Sequence, residues 1–119
     1  MSDYEITLPW SPSVNGMRAV FRNRMITTKK GRDYHKAVHK LMDDLNLSGE
    51  NIEDRLHVSM VLNPPTLRKY DIDNRCKAVF DALSQCAFWI DDEQIDSLTI
   101  KKGVKIKGGS IVIKVIKLI

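Results

Sequence analysis

Hydrophobic and polar positions first alternate at the N-terminus, where Tyr4, Ile6 and Leu8 are separated by Glu5 and Thr7. A period of two puts alternate side chains on opposite faces of a strand, and Pro9, Ser11 and Pro12 close it. Residues 13–28 mix Asn, Gly and arginines with no clear period and read as a basic loop. From Lys30 the spacing changes. Tyr34, Val38, Leu41, Met42 and Leu45 recur three or four positions apart, which predicts an amphipathic helix ended by Ser48-Gly49. Its other face carries Arg32, Lys36, His39 and Lys40.

Alternation returns at Leu56, Val58, Met60 and Leu62, a second strand ended by Pro64-Pro65. Asp73 is then placed to cap a second helix running to about Gln85, with Cys76, Val79, Phe80 and Leu83 as its apolar stripe. Residues 98–100 and 104–106 read as strand and lead to Gly108-Gly109, a hairpin-turn signal, after which residues 110–118 return. Ile111, Val112, Ile113, Val115, Ile116 and Leu118 fill both faces of that last strand. It is therefore central to a sheet, or a partner subunit covers its second face. The predicted class is α+β: one domain over residues 1–119, with a mixed β-sheet and two helices, ordered βαβα plus a C-terminal β hairpin, and homodimeric.

Composition narrows the class. With 119 residues, 43% hydrophobic and 29% charged, the chain suits a folded globular domain and not a disordered tail. Its longest apolar run, residues 86–90, falls far short of the ~20 residues a membrane helix needs. Asp3 and Glu5 stand where a secretory signal would be apolar, so no signal peptide is expected. Cys76 and Cys86 are too few for a disulfide scaffold or a zinc site, and a cytoplasmic location is expected.

The net charge of +4 hides segregation. Residues 17–42 hold eight basic side chains, Arg18, Arg22 and Arg24 among them, against the single acid Asp33. Residues 98–119 hold six lysines and no acid, whereas residues 81–97 hold five acids and no base. Such basic segments draw a polyanion, unless they are only a solvated surface. The acidic stretch needs its own reason.

That reason lies in the segment from Asp71 to Lys77 and in Asp91-Asp92. Carboxylates two apart on extended backbone, as Asp71 and Asp73 are, point the same way and can reach one cation. Lys77 is four residues from Asp73 on the helix and so its neighbour. Hard oxygen ligands without His or Cys suit Mg²⁺, with Mn²⁺ as a substitute, and a lysine beside them suits a phosphodiester. The bland alternative makes Asp73 a cap, Asp91-Asp92 a solvated turn, and Lys77 a salt bridge to Asp73 or Asp81. An acidic site between basic arms favours a nuclease. Arg68 and Lys69, just before the acids, and Arg75 among them are candidate phosphate contacts, with Asp71 as a competing ion-pair partner. His35 and His39 have the spacing of a metal pair but no third ligand, and Trp10, Phe88 and Trp89 could either stack on bases or pack.

Leu8-Pro9-Trp10-Ser11-Pro12-Ser13-Val14-Asn15 resembles the N-terminal signature of the RusA family of Holliday-junction resolvases. Asp71-Ile72-Asp73-Asn74 with Lys77, Phe80-Asp81-Ala82-Leu83 and Phe88-Trp89-Ile90-Asp91-Asp92 resemble its central block. The resemblance implies a small homodimeric endonuclease that cuts four-way junction DNA with Mg²⁺ in recombination and repair, often phage-encoded and without a small-molecule cofactor. It makes Asp71, Asp73 and Asp92 the essential acids and Lys77 the essential base, with Asp91 matching the preceding acid. Ala87 stands where relatives commonly have Gly, so the helix exit lacks glycine's left-handed freedom. A DNA-structure-binding protein without catalysis and a metal-dependent nucleotide hydrolase are the rival readings.

Overall fold

The computed structural model describes residues 2–13, 18–21 and 24–119, and for residues 18–21 and 24–26 the backbone course alone. Strand β1 (Tyr4–Leu8) is followed by β2 (Arg18–Phe21) and β3 (Arg24–Thr27), helix α1 (Lys29–Asp44) and strand β4 (Leu56–Asn63). A 3₁₀ turn (Ile72–Arg75) runs into α2 (Cys76–Gln85), a second (Asp92–Gln94) into β5 (Ile95–Lys102), and β6 (Ser110–Lys117) follows. The class is α+β, with a mixed four-stranded sheet in the order β1-β6-β4-β5.

Alternation decides which sheet face is covered. Ile6 and Leu8, Leu56, Val58, Met60 and Leu62, and Ile111, Ile113 and Val115 all point to one side and are buried. They join one core with Tyr34, Val38 and Met42 of α1 and Val79 and Leu83 of α2, and the two helices also pack on each other. Strand β6 is central, flanked by β1 and β4, as its composition predicts. On its second face Val112 and Ile116, beside Val61 of β4, stay half-exposed.

Several elements differ from the sequence reading. The basic loop of residues 13–28 contains a two-stranded ladder, with Arg18 opposite Thr27 and Phe21 opposite Arg24. Val20, Phe21, Ile26 and Thr27 are good strand formers hidden among arginines. Strands β5 and β6 form no hairpin. Strand β4 lies between them, parallel to β5 and antiparallel to β6, so β4, α2 and β5 make a crossover unit. Residues 104–106 are not strand, although Gly108 and Gly109 do turn the chain, with φ of 79° and 73°. At the same end Gly103 donates to the Leu62 carbonyl at 2.7 Å, and a Cβ there would sit 2.1 Å from Asn63 Oδ1, so only glycine fits.

Both helices stop on non-glycine residues in the left-handed region. Helix α1 ends at Asn46 (φ 59°), before Ser48-Gly49, with Leu47 N–H donating to the Met42 carbonyl and Asn46 N–H to Asp43. Helix α2 ends the same way at Ala87 (φ 59°), with Phe88 N–H donating to Leu83 and Ala87 N–H to Ser84. A Cβ in this conformation costs roughly 1 kcal/mol relative to glycine. The geometry glycine would favour is kept without it.

Candidate active site

Lys77 sits in the first turn of α2, its Nζ 2.9 Å from Asp81 Oδ1 and 3.3 Å from Asp92 Oδ2. Asp81, one helical turn on, is half-buried, and Asp92 opens the 3₁₀ turn before β5. The two carboxylates, Asp81 first, hold the Lys77 pKa above its ordinary value against a partial desolvation that lowers it. Lys77 is therefore a fixed cation, held by Asp81 and Asp92 and not by Asp73. Asp81 did not stand out as a site residue in the sequence, though its i,i+4 spacing from Lys77 is the signal that marks it.

Asp73 lies inside the 3₁₀ turn and caps nothing; Asp71, with extended backbone (φ −85°, ψ 138°), precedes it. Asp71 thus has the extended backbone expected of it, whereas Asp73 is carried on the 3₁₀ turn and not on extended chain. Both carboxylates are exposed, and Asp71 Oδ2 accepts a 3.4 Å bond from Asn74 Nδ2.

The segment that delivers Asp92 is anchored by Gln94, a buried residue the sequence reading missed. Its Nε2 donates to the carbonyls of Ile52 and Asp54 at 2.8 and 2.9 Å, and its Oε1 accepts from the N–H groups of Ile90 and Asp91. Asp91 completes a reciprocal cap: its Oδ1 accepts from Glu93 N–H at 3.2 Å. The bonded Asp92 carboxyl, and then that N–H, hold the Asp91 pKa below its ordinary value. Asp91 thus shapes the turn, and Asp92 faces Lys77.

Among the described residues, no three acidic, His or Cys side chains are gathered closely enough to cage a metal ion. Mg²⁺ rarely needs such a cage. It keeps several waters and is usually held by one or two carboxylates plus substrate phosphate. The all-oxygen set of Asp71, Asp73 and Asp92, with Asp71 and Asp73 free of ion pairs among the described residues, fits that chemistry.

Of the candidate DNA contacts, Arg68 and Lys69 are exposed, and Arg75 is half-buried. Lys69 and Arg75 line a cavity with Asp71, and all three line the neighbouring one beside Trp10 and Tyr70. Arg18 and Arg24 lie on the β2–β3 ladder, and Arg22 falls outside the described residues. Phe88 and Trp89 are core residues, whereas Trp10 stays half-exposed beside Arg75. Cys76 and Cys86 are buried, which pushes the Cys76 thiol up to about 11. Neither is poised to react.

Carboxylates around a fixed lysine, on an α+β scaffold with basic side chains nearby, have the make-up of a nuclease. The family described as Endodeoxyribonuclease RusA matches residues 9–116, and the chain belongs to that family. It is 32% identical over 99% of its length, and 98% of the relative's, to the crossover junction endodeoxyribonuclease of Enterobacteria phage HK97. The proteins of that name from Escherichia coli K12 and Enterobacteria phage 82 are 33% and 35% identical, each over 92% of this chain and 90% of their own.

Proposed function

We propose that this protein resolves four-way DNA junctions by Mg²⁺-dependent hydrolysis of phosphodiester bonds, as a homodimer making paired symmetric cuts. The observation that carries the reading is Lys77, fixed by Asp81 and Asp92, in a chain that also exposes Asp71 and Asp73 and whose relatives carry the name crossover junction endodeoxyribonuclease.

Asp71, Asp73 and Asp92 would hold the ion. When bound, Mg²⁺ (or Mn²⁺) supplies a Lewis acid for phosphoryl oxygens and makes water more acidic. The chain's own groups account for the rest. Lys77 stays protonated at neutral pH and so cannot accept a proton; its Nζ stabilises negative charge as it grows on the reacting phosphate. Asp81 aims that Nζ without itself needing to touch DNA. Gln94 and Asp91 keep the Asp92 turn in place. Arg68, Lys69 and Arg75, with Arg18, Arg22 and Arg24, hold the phosphate backbone. Half-exposed Val61, Val112 and Ile116 on the sheet face away from the helices support the homodimer, whose two-fold axis would relate two active sites.

The test is to incubate a labelled four-way junction, a linear duplex and a nucleotide pool with and without Mg²⁺. Paired nicks in the junction alone, and only with Mg²⁺, are expected. Junction binding without cutting would make this a structure-binding protein. Turnover of free nucleotides would make it a nucleotide hydrolase.

A further inference from the structure

Arg75 is a half-buried cation without a carboxylate. Its Nη1 donates to the Ser11 carbonyl at 2.7 Å, and the Ser11 hydroxyl donates back to the Arg75 carbonyl at 2.9 Å. The guanidinium carbon lies 5.1 Å from the centre of the Trp10 ring, and Trp10 meets Tyr70 edge-on at 5.5 Å. By contrast, two fixed cations nearby are neutralised by acids: Arg55 by Glu93 and Asp96, Lys77 by Asp81 and Asp92. Among the described residues no ion pair reaches Arg75, and its Nε and the Tyr70 hydroxyl are buried without partners.

These groups wall two adjoining cavities. One, of about 350 Å³, lies between Trp10, Pro65, Arg68, Lys69, Tyr70 and Arg75. The other, of about 470 Å³, shares Lys69, Tyr70 and Arg75 and reaches Lys102 and Asp71. Lys102 is held there by a 2.8 Å bond to the Tyr70 carbonyl, its Nζ 4.5 Å from the Tyr70 ring centre. The acid at the rim of the second cavity, Asp71, accepts a 3.4 Å bond from Asn74 Nδ2. Arg68, Lys69, Arg75 and Lys102 thus line the two adjoining cavities between them, and Asp71 is the one acid at the edge of the second. An anion entering beside Arg75 would supply the missing countercharge, and a guanidinium matches the two free oxygens of a phosphate.

We propose that this cavity is a second phosphate site, which takes the phosphodiester flanking the one presented to Asp71, Asp73 and Lys77 and so sets the register of the strand being cut. The proposal rests on the nuclease reading. Its test compares wild type with Arg75→Gln and with the exposed variant Arg68→Gln. Four-way junction binding is measured without metal across a salt series, and junction cutting is measured with Mg²⁺. Each variant should weaken binding several-fold and reduce the log–log salt slope by about 0.9, the share of one lost phosphate contact. The loss in kcat/KM should fall mainly on KM, and a short single-stranded oligonucleotide should quench Trp10 emission in wild type but weakly in Arg75→Gln. Unchanged affinity and slope in folded variants would overturn the second site, as would a loss confined to kcat, which would put Arg75 at the reacting phosphate. If Arg75→Gln does not fold, Arg68→Gln decides. The nuclease reading itself would survive those results and fails only if wild type does not cut or the acids prove dispensable.

Discussion

At the scale of single residues, the site rests on one lysine whose charge is locked. Because carboxylates raise the Lys77 pKa, its contribution to stability is complete below about pH 10 and is lost only as pH rises through the raised value. Between about pH 6 and 9 Lys77 should therefore add no inflection to the rate. Lys77→Met should leave the fold and metal binding intact, since a lysine is no ligand, and lower the cutting rate by ~100-fold or more, on the scale of one lost transition-state contact. Single-turnover cutting at saturating junction is the check. In the chain, Asp71, Asp73, Lys77 and Asp92 are marked as candidates by their setting between basic segments, because two aspartates two apart are by themselves a common pattern. What the residues could not reveal is direction. Lys77 is four residues from Asp73 and from Asp81, so spacing leaves open which it meets, and Gln94 looks like any surface glutamine until four backbone groups converge on it.

At the scale of elements, the strongly periodic segments behave as their patterns require, and local chemistry decides the ends. Helix α2 buries its stripe of Cys76, Val79, Phe80 and Leu83 as expected, then exits through a left-handed alanine. Ala87→Gly should raise stability by about 1 kcal/mol. In a domain of this size that is roughly 3–6 °C in Tm, readable by calorimetry. A decrease would mean that the Ala87 methyl contributes more packing than its conformation costs. The β2–β3 ladder escaped notice because each strand is only four residues long, too short to show a period among flanking arginines. The hairpin reading of residues 98–118 failed for a different reason. Gly108-Gly109 does turn the chain, but pairing is decided by partners distant in sequence, and β4 offers β6 a full buried face of Leu56, Val58, Met60 and Leu62.

At the scale of the whole molecule, helices cover one face of the sheet, and Val61, Val112 and Ile116 are left half-exposed on the other. Light scattering at micromolar concentration should give twice the 13.6 kDa chain mass. A monomer that still made paired cuts would refute the dimer. The central claim is that the acids serve chemistry and not architecture, and Asp73→Asn addresses it most directly. Asp73 is exposed and caps nothing, so the amide should cost less than about 0.5 kcal/mol of stability. It removes negative charge that a hard cation needs and that repels phosphate, so junction binding without metal should be equal or tighter. The measurement is binding and cutting of one labelled four-way junction by the folded variant across a Mg²⁺ titration. The account predicts a bound junction with no cuts at any Mg²⁺ concentration; cutting at near the wild-type rate would contradict it.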